Sequence, residues 1–232
     1  MLPDLPAAFA PTRDALHALA EQVVSAAYYH ATKHIGLRPT PRGLGTPVFH
    51  DHERVRVDGT ALVHELAGSE RRAEITTLRE AAAFVGVPLG APDVYKPATA
   101  VDPDSPLAID HDSVLALGDW YALGHALLQD LRTEHSELPS TESQLWPEHF
   151  DLACEIGSAD TGTRANFGAS PGDIVIPEPY LYVGPWETKR KRGMLARYPF
   201  GGALTYDEMR RAGEAGAAGR QFFEDAIALL SD

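Results

Sequence analysis

Apolar residues recur at helical spacing near the start of the chain. Leu16, Leu19, Ala20, Val23, Val24 and Ala27 form one stripe and predict a helix over 12–33, with Thr12 as its N-cap and Gly36 beyond its end. The period then changes from helical to two. Residues 53–57 alternate, Asp58-Gly59 is a strong turn signal, and 60–66 alternate back, which predicts a hairpin. A further strand near 72–75 leads into a helix opened by Thr77, with Glu80 as its capping-box partner and Leu78, Ala81, Ala82 and Val85 on the inner face. Residues 87–112 hold five prolines and predict a long crossing loop. A helix over 113–135 follows, capped by Asp112, with Val114, Leu117, Tyr121, Leu128 and Leu131 on one side.

Downstream, 144–156 reads as one strand. Phe150, Leu152, Cys154 and Ile156 then point one way, and His149, Asp151, Ala153 and Glu155 the other. A return strand over 164–168, a turn at Ser170-Pro-Gly-Asp173 and a strand over 179–184 complete a second set of hairpins. The last helix starts after Thr205, with Glu208 completing a second capping box. Gly213, Gly216 and Gly219 step through it three apart, a spacing that predicts another backbone close by.

Strands paired in hairpins and flanked by helices make the fold α+β: a mainly antiparallel sheet packed by a long N-terminal, a central and a C-terminal helix. No composition shift marks a boundary. One α+β domain over 1–232 is expected, its halves of about 12–86 and 113–232 sharing a core.

Composition changes this picture mainly by exclusion. The net charge of −13 repels phosphate backbones, so nucleic acid is not an expected partner. The run Lys189-Arg-Lys-Arg192 is the local exception, read first as a solvated loop and second as a contact for a phosphate-bearing ligand. No run of 18 apolar residues occurs, and the first eleven residues contain three prolines and no basic start, so neither a membrane span nor a leader is expected. A single cysteine, Cys154, suits a reducing compartment, and a cytoplasmic location is the expectation.

Gly168-Ala-Ser-Pro-Gly172 spells a serine-hydrolase elbow, but Pro171 removes the N–H that an oxyanion hole needs and no helix follows. Three constellations survive. His30 and His34 lie four apart at the end of the first helix, the spacing of two ligands to one divalent metal, with His125 as a third candidate; the same positions also suit favourable contact with a helix C-terminus. His50-Asp51-His52 is a loop cluster whose neighbours in sequence rarely converge on one ion.

The strongest constellation is His149 with Asp151 on one strand face, joined by Asp173, Glu178 and Tyr180, with Asn166 and Tyr182 nearby. A carboxylate beside an imidazole orients it as a base or a ligand, and these groups together would bind a small polar molecule or act on it. The same residues equally describe a buried structural network.

Gln144-Leu-Trp-Pro-Glu-His-Phe-Asp-Leu-Ala153, Asn166-Phe-Gly-Ala-Ser-Pro-Gly-Asp173 and Ile176-Pro-Glu-Pro-Tyr-Leu-Tyr182 resemble, in this order, segments of a bacterial family catalogued only as a domain of unknown function. Its members carry similar W-P-x-H-F-D, S-P-G-D and P-E-P-Y-x-Y segments. Glu148 stands where many relatives are expected to have a second histidine, which weighs against a paired-histidine metal site. The resemblance implies a place on the chain and no reaction. Alternative functions are a non-catalytic assembly protein, a homodimer formed through the C-terminal helix (Met209, Phe222, Phe223, Ile227, Leu230), and a metal-binding protein using His30 and His34.

Overall fold

The structure is a computed structural model that describes residues 1–100 and 102–231. The fold is α+β, with two antiparallel five-stranded sheets. The chain divides into two compact units. One comprises Leu5–Ala122 and Leu145–Phe150, and the other Met1–Asp4, Leu123–Gln144 and the residues from Asp151 onward. The division falls inside the central helix rather than in the proline-rich segment, which belongs wholly to the first unit.

In the first unit, α1 (Phe9–Leu19) and α2 (Ser25–Thr32) form one helical run interrupted by a π turn at Ala20–Val24. The helix starts earlier than its apolar stripe suggests. Thr12 is not the cap but lies in the first turn, where its hydroxyl accepts from the Asp110 amide at 3.0 Å. Lys33, in the left-handed region at φ 65°, ends the helix before Gly36 is reached. The stripe itself is buried as its spacing requires, with Leu16, Leu19, Val23 and Val24 at 0% exposure.

The sheet of this unit runs β1 (Arg38–Thr40), β2 (Gly43–Gly45), β3 (Arg54–Asp58), β4 (Ala61–Leu66) and β5 (Ser69–Glu74) in chain order. Asp58 pairs with Ala61 across the Gly59 turn, as the sequence signal predicts. A second tight turn at Ala67 and Gly68 (φ 49° and 80°) joins β4 to β5; its twist matches that of the strands it connects. In α3 (Leu78–Val85), Thr77 caps the Glu80 amide. The central helix α4 (His111–Glu134) is capped not by Asp112 but by Asp110, whose carboxylate accepts from the Ser113 amide at 2.9 Å and hydroxyl at 2.7 Å.

The second sheet has the strand order β10-β9-β8-β7-β6. The single strand expected over 144–156 is two: β6 (Gln144–Trp146) and β7 (Asp151–Ile156), separated by a turn. Pro147 carries the reason, since it has no N–H to give a ladder. The sheet continues with β8 (Ala165–Ser170), β9 (Tyr180–Pro185) and β10 (Gly202–Thr205), the last not evident from sequence.

One face of this sheet is the core. Phe167 on β8 meets Phe223 edge-on with ring centroids 5.7 Å apart, a geometry worth about 0.5–1.5 kcal/mol beyond simple burial. The last helical segment is two helices. α5 (Tyr206–Ala212) carries the full Thr205–Glu208 capping box, and α6 (Ala215–Ser231) follows a break at Gly213, φ 81°.

Of the three stepped glycines only Gly219 is crowded: a methyl there would lie 2.7 Å from Leu127 and 2.8 Å from Leu181. Met209, Phe222, Phe223, Ile227 and Leu230 are all buried in the chain's own fold, at 8% exposure or less. The apolar face considered for a symmetry mate is thus already occupied. No helix among the described residues is long and apolar enough to cross a membrane.

Candidate functional site

The turn 146–150 decides where the predicted site residues go. The Phe150 amide bonds back to the Trp146 carbonyl at 2.7 Å, and Phe150 takes φ 53°, which resets strand alternation before β7 begins. His149 is therefore an exposed turn residue and not a strand residue. Within the first unit, Tyr121 donates its hydroxyl to the Phe150 carbonyl at 2.6 Å, and His17 stacks on the Phe150 ring at 4.9 Å. These contacts fix the turn and leave the imidazole of His149 outside. The shared strand face expected for His149 and Asp151 does not form.

Asp151, Asp173 and Tyr180 do come together, on the sheet face opposite the core, and Tyr182 joins them. Tyr182 donates its hydroxyl to Asp151 Oδ2, and Tyr180 donates to Asp173 Oδ2 at 2.6 Å. The two phenol rings lie 6.1 Å apart on neighbouring same-face positions of β9. To reach β7 from β9, the Tyr182 ring passes over its cross-strand partner Gly168 on β8. A Cβ at position 168 would stand 2.5 Å from that ring, so only glycine leaves the path open.

Asp173 has a second task. Its Oδ1 accepts from the amides of Val175 at 2.6 Å and Ile176 at 2.9 Å, while its own amide donates to the Ile176 carbonyl at 2.8 Å. Ser170, expected in a turn, is instead the last residue of β8, and its hydroxyl accepts from the Gly172 amide at 3.2 Å. Glu178 is diverted elsewhere: it precedes β9, and its carboxylate accepts from the Asp207 amide at 2.9 Å, in the first turn of α5.

Burial pushes both phenols upward in pKa, and the adjacent carboxylates push further: Asp173 through its hydrogen bond to Tyr180, and Asp151 through its charge beside Tyr182. The Cys154 thiol, buried on the core face, is raised to about 12 by desolvation. These phenols stay protonated near neutrality. They serve as fixed hydrogen-bond donors and do not hand over protons.

No family model, curated protein or solved structure matches this chain.

The other candidates are also located. His34 lies past the end of α2, beyond the left-handed Lys33, so the helical four-residue pairing of His30 and His34 is not assembled. His30 packs against Tyr29 and His34 against Tyr28. His125 belongs to the other unit and bonds Ser143 through Nδ1 at 3.1 Å. Among the described residues no group of three or more His, Cys, Asp or Glu side chains is placed to hold a metal ion. His50, Asp51 and His52 form an exposed turn with Asp51 and His52 both at positive φ.

The basic run is spent on its own unit. Arg190 Nε donates to the Gly162 carbonyl at 3.2 Å, and Arg192 donates to the Leu229 carbonyl at 2.9 Å.

Sequence reasoning missed one polar centre in the first unit. The π turn places Glu21 at 0% exposure. Its carboxylate accepts from the amides of Ala98 at 2.7 Å and Thr99 at 3.0 Å, and from the Thr99 hydroxyl at 2.5 Å. Its main-chain carbonyl, displaced from regular helix bonding, takes the hydroxyls of Ser25 at 3.0 Å and Tyr95 at 3.1 Å. His17, one turn earlier, donates to the Pro147 carbonyl at 2.9 Å and stands 3.8 Å from Glu21. Its pKa is lowered, chiefly by burial, against the pull of Glu21. This centre straps the proline-rich segment onto the helix. Helical periodicity carries no trace of it.

Proposed function

We propose that this chain works by holding a partner protein rather than by turning over a substrate, with the β8–β9 loop (171–179) as the element that makes contact. One observation carries the reading. The brace formed by Asp173 with Tyr180 and the loop amides leaves Ile174 at 99% exposure and Val175 at 52% at the loop's tip.

Single exposed apolar side chains are ordinary. Here the tip is held by hydrogen bonds to a buried tyrosine, so binding costs little loop entropy. The charge of −13 favours a partner whose contact surface is basic around an apolar pocket. In this reading Asp173 and Tyr180 are positioning residues for the loop.

A photo-crosslinking residue at position 174 tests the proposal in cells that make the protein. It should trap one species with a basic patch, and the exposed control position Leu66 should not. Adding Asp173→Ala should abolish the adduct. The same products from both positions would overturn the reading.

The Asp151–Tyr182 pair supports a second reading, a small polar ligand, because Tyr182 keeps partial exposure while its hydroxyl is fixed on Asp151. A metabolite that raises the melting temperature of the wild type and not of Tyr182→Phe would favour it.

A further inference from the structure

We propose that the second unit carries a binding site for a small neutral aromatic molecule, separate from the Tyr–Asp face and from loop 171–179. A cavity of about 220 Å³ lies between the β7–β8 hairpin and the last turns of α6. Its walls are the side chains of Leu138, Ile156, Phe167, Ile227 and Leu230.

The sequence leaves this space open locally. On the hairpin side it places Gly157, Thr161 and Thr163 where a filled wall would need larger residues. Gly157 cannot grow: at φ 98°, a Cβ there would stand 2.5 Å from the Thr163 carbonyl oxygen. The hairpin is also held in place, with the Ser158 amide donating to Thr163 Oγ1 at 3.0 Å and the Thr163 amide to the Ser158 carbonyl at 2.9 Å. The cavity is therefore a consequence of a fixed turn. It is not slack that a rotamer change would remove.

The lining also selects the ligand. Among the described residues no charged side chain lines the cavity, which favours a neutral ligand over an ion. The hydroxyls that do line it are engaged as donors or held in place: Thr161 and Thr163 share a bond at 2.9 Å, and Ser231 donates to the Ile227 carbonyl at 2.9 Å. A hydroxyl oxygen can still accept through a remaining lone pair. The complementary molecule has a flat apolar body and one N–H or O–H donor. Apolar cavities of roughly 150 Å³ already hold a benzene-sized molecule, so a fused bicyclic ring such as indole fits the chemistry and the scale.

Indole is the probe, titrated into the full chain and followed by thermal unfolding and by saturation-transfer NMR. At tenfold excess over its dissociation constant, one-site binding should raise the unfolding midpoint by roughly 2–5 °C. Leu138→Trp and Ser231→Trp each introduce a ring from a position at the rim, where neither native side chain is buried. Either variant, with a wild-type circular dichroism spectrum, should show no indole-dependent rise. The proposal is overturned if the wild type shows no saturable rise, or if both tryptophan variants respond as the wild type does.

Discussion

Each unit buries a carboxylate, and the two are satisfied in different ways. Glu21, on a π turn, is met mainly by main-chain amides of an irregular segment, at Ala98 and Thr99. Asp151, at the first position of a strand, is met by the hydroxyl of Tyr182 reaching across the intervening strand. The first arrangement orders a loop and draws mainly on its main chain, with the hydroxyls of Thr99 and Tyr95 as side-chain partners. The second orders a sheet face and depends on one phenol and on the missing side chain of Gly168. A buried polar group alone therefore does not mark chemistry. What it touches tells whether it organises backbone or presents a surface.

The comparison can be broken most severely at Glu21. Replacing it with alanine removes the buried carboxylate that the amides of 98 and 99 and the Thr99 hydroxyl bond, and should cost about 3–5 kcal/mol in urea unfolding, with amide exchange accelerating across 95–100. Equal protection of that segment in the variant would mean that the strap does not depend on Glu21. Next in size is Tyr182→Phe, which takes a hydroxyl from a buried carboxylate and should lower stability by about 1.5–3 kcal/mol. Gly168→Ala should reproduce a comparable loss of about 1–3 kcal/mol by displacing the ring. If Gly168→Ala is neutral, the ring does not cross where described.

Asp173→Ala should cost less, about 1–2 kcal/mol, and its signature is local: faster exchange of the Val175 and Ile176 amides with β7 and β8 unchanged.

The smallest effect is one of pH. His17 is held below its ordinary value of 6.5 in the folded chain. The unfolded chain therefore takes up the proton first, so stability is full above that pH and falls as pH drops through and below it. In His17→Gln this part of the pH profile should flatten. A slope that persists there would assign it to another group.

Much of the architecture was legible because it rests on period and turn chemistry. The Asp58-Gly59 hairpin, the Thr205–Glu208 box and the buried faces of α1 and α4 all follow from local rules. The errors cluster where one residue changes the local geometry. Pro147 and left-handed Phe150 split the strand that was to unite His149 with Asp151. Lys33 in the left-handed region ends the helix that was to pair His30 with His34.

The tyrosine–aspartate face was half visible, through the Tyr180/Tyr182 alternation, and a glycine inside a strand at 168 was the unused clue to the ring crossing it. The Glu21 strap left no such clue. A helix that gains one residue per turn does so for tertiary reasons, and its partners lie more than 70 residues away.

The lone thiol has a practical consequence. Cys154 is buried, and its pKa of about 12 leaves almost no thiolate at neutral pH. Maleimide reagents should pass it by. A second cysteine engineered onto the surface would then take a fluorophore or spin label without removal of the native one, so the untouched chain is already a background-free host for site-directed spectroscopy.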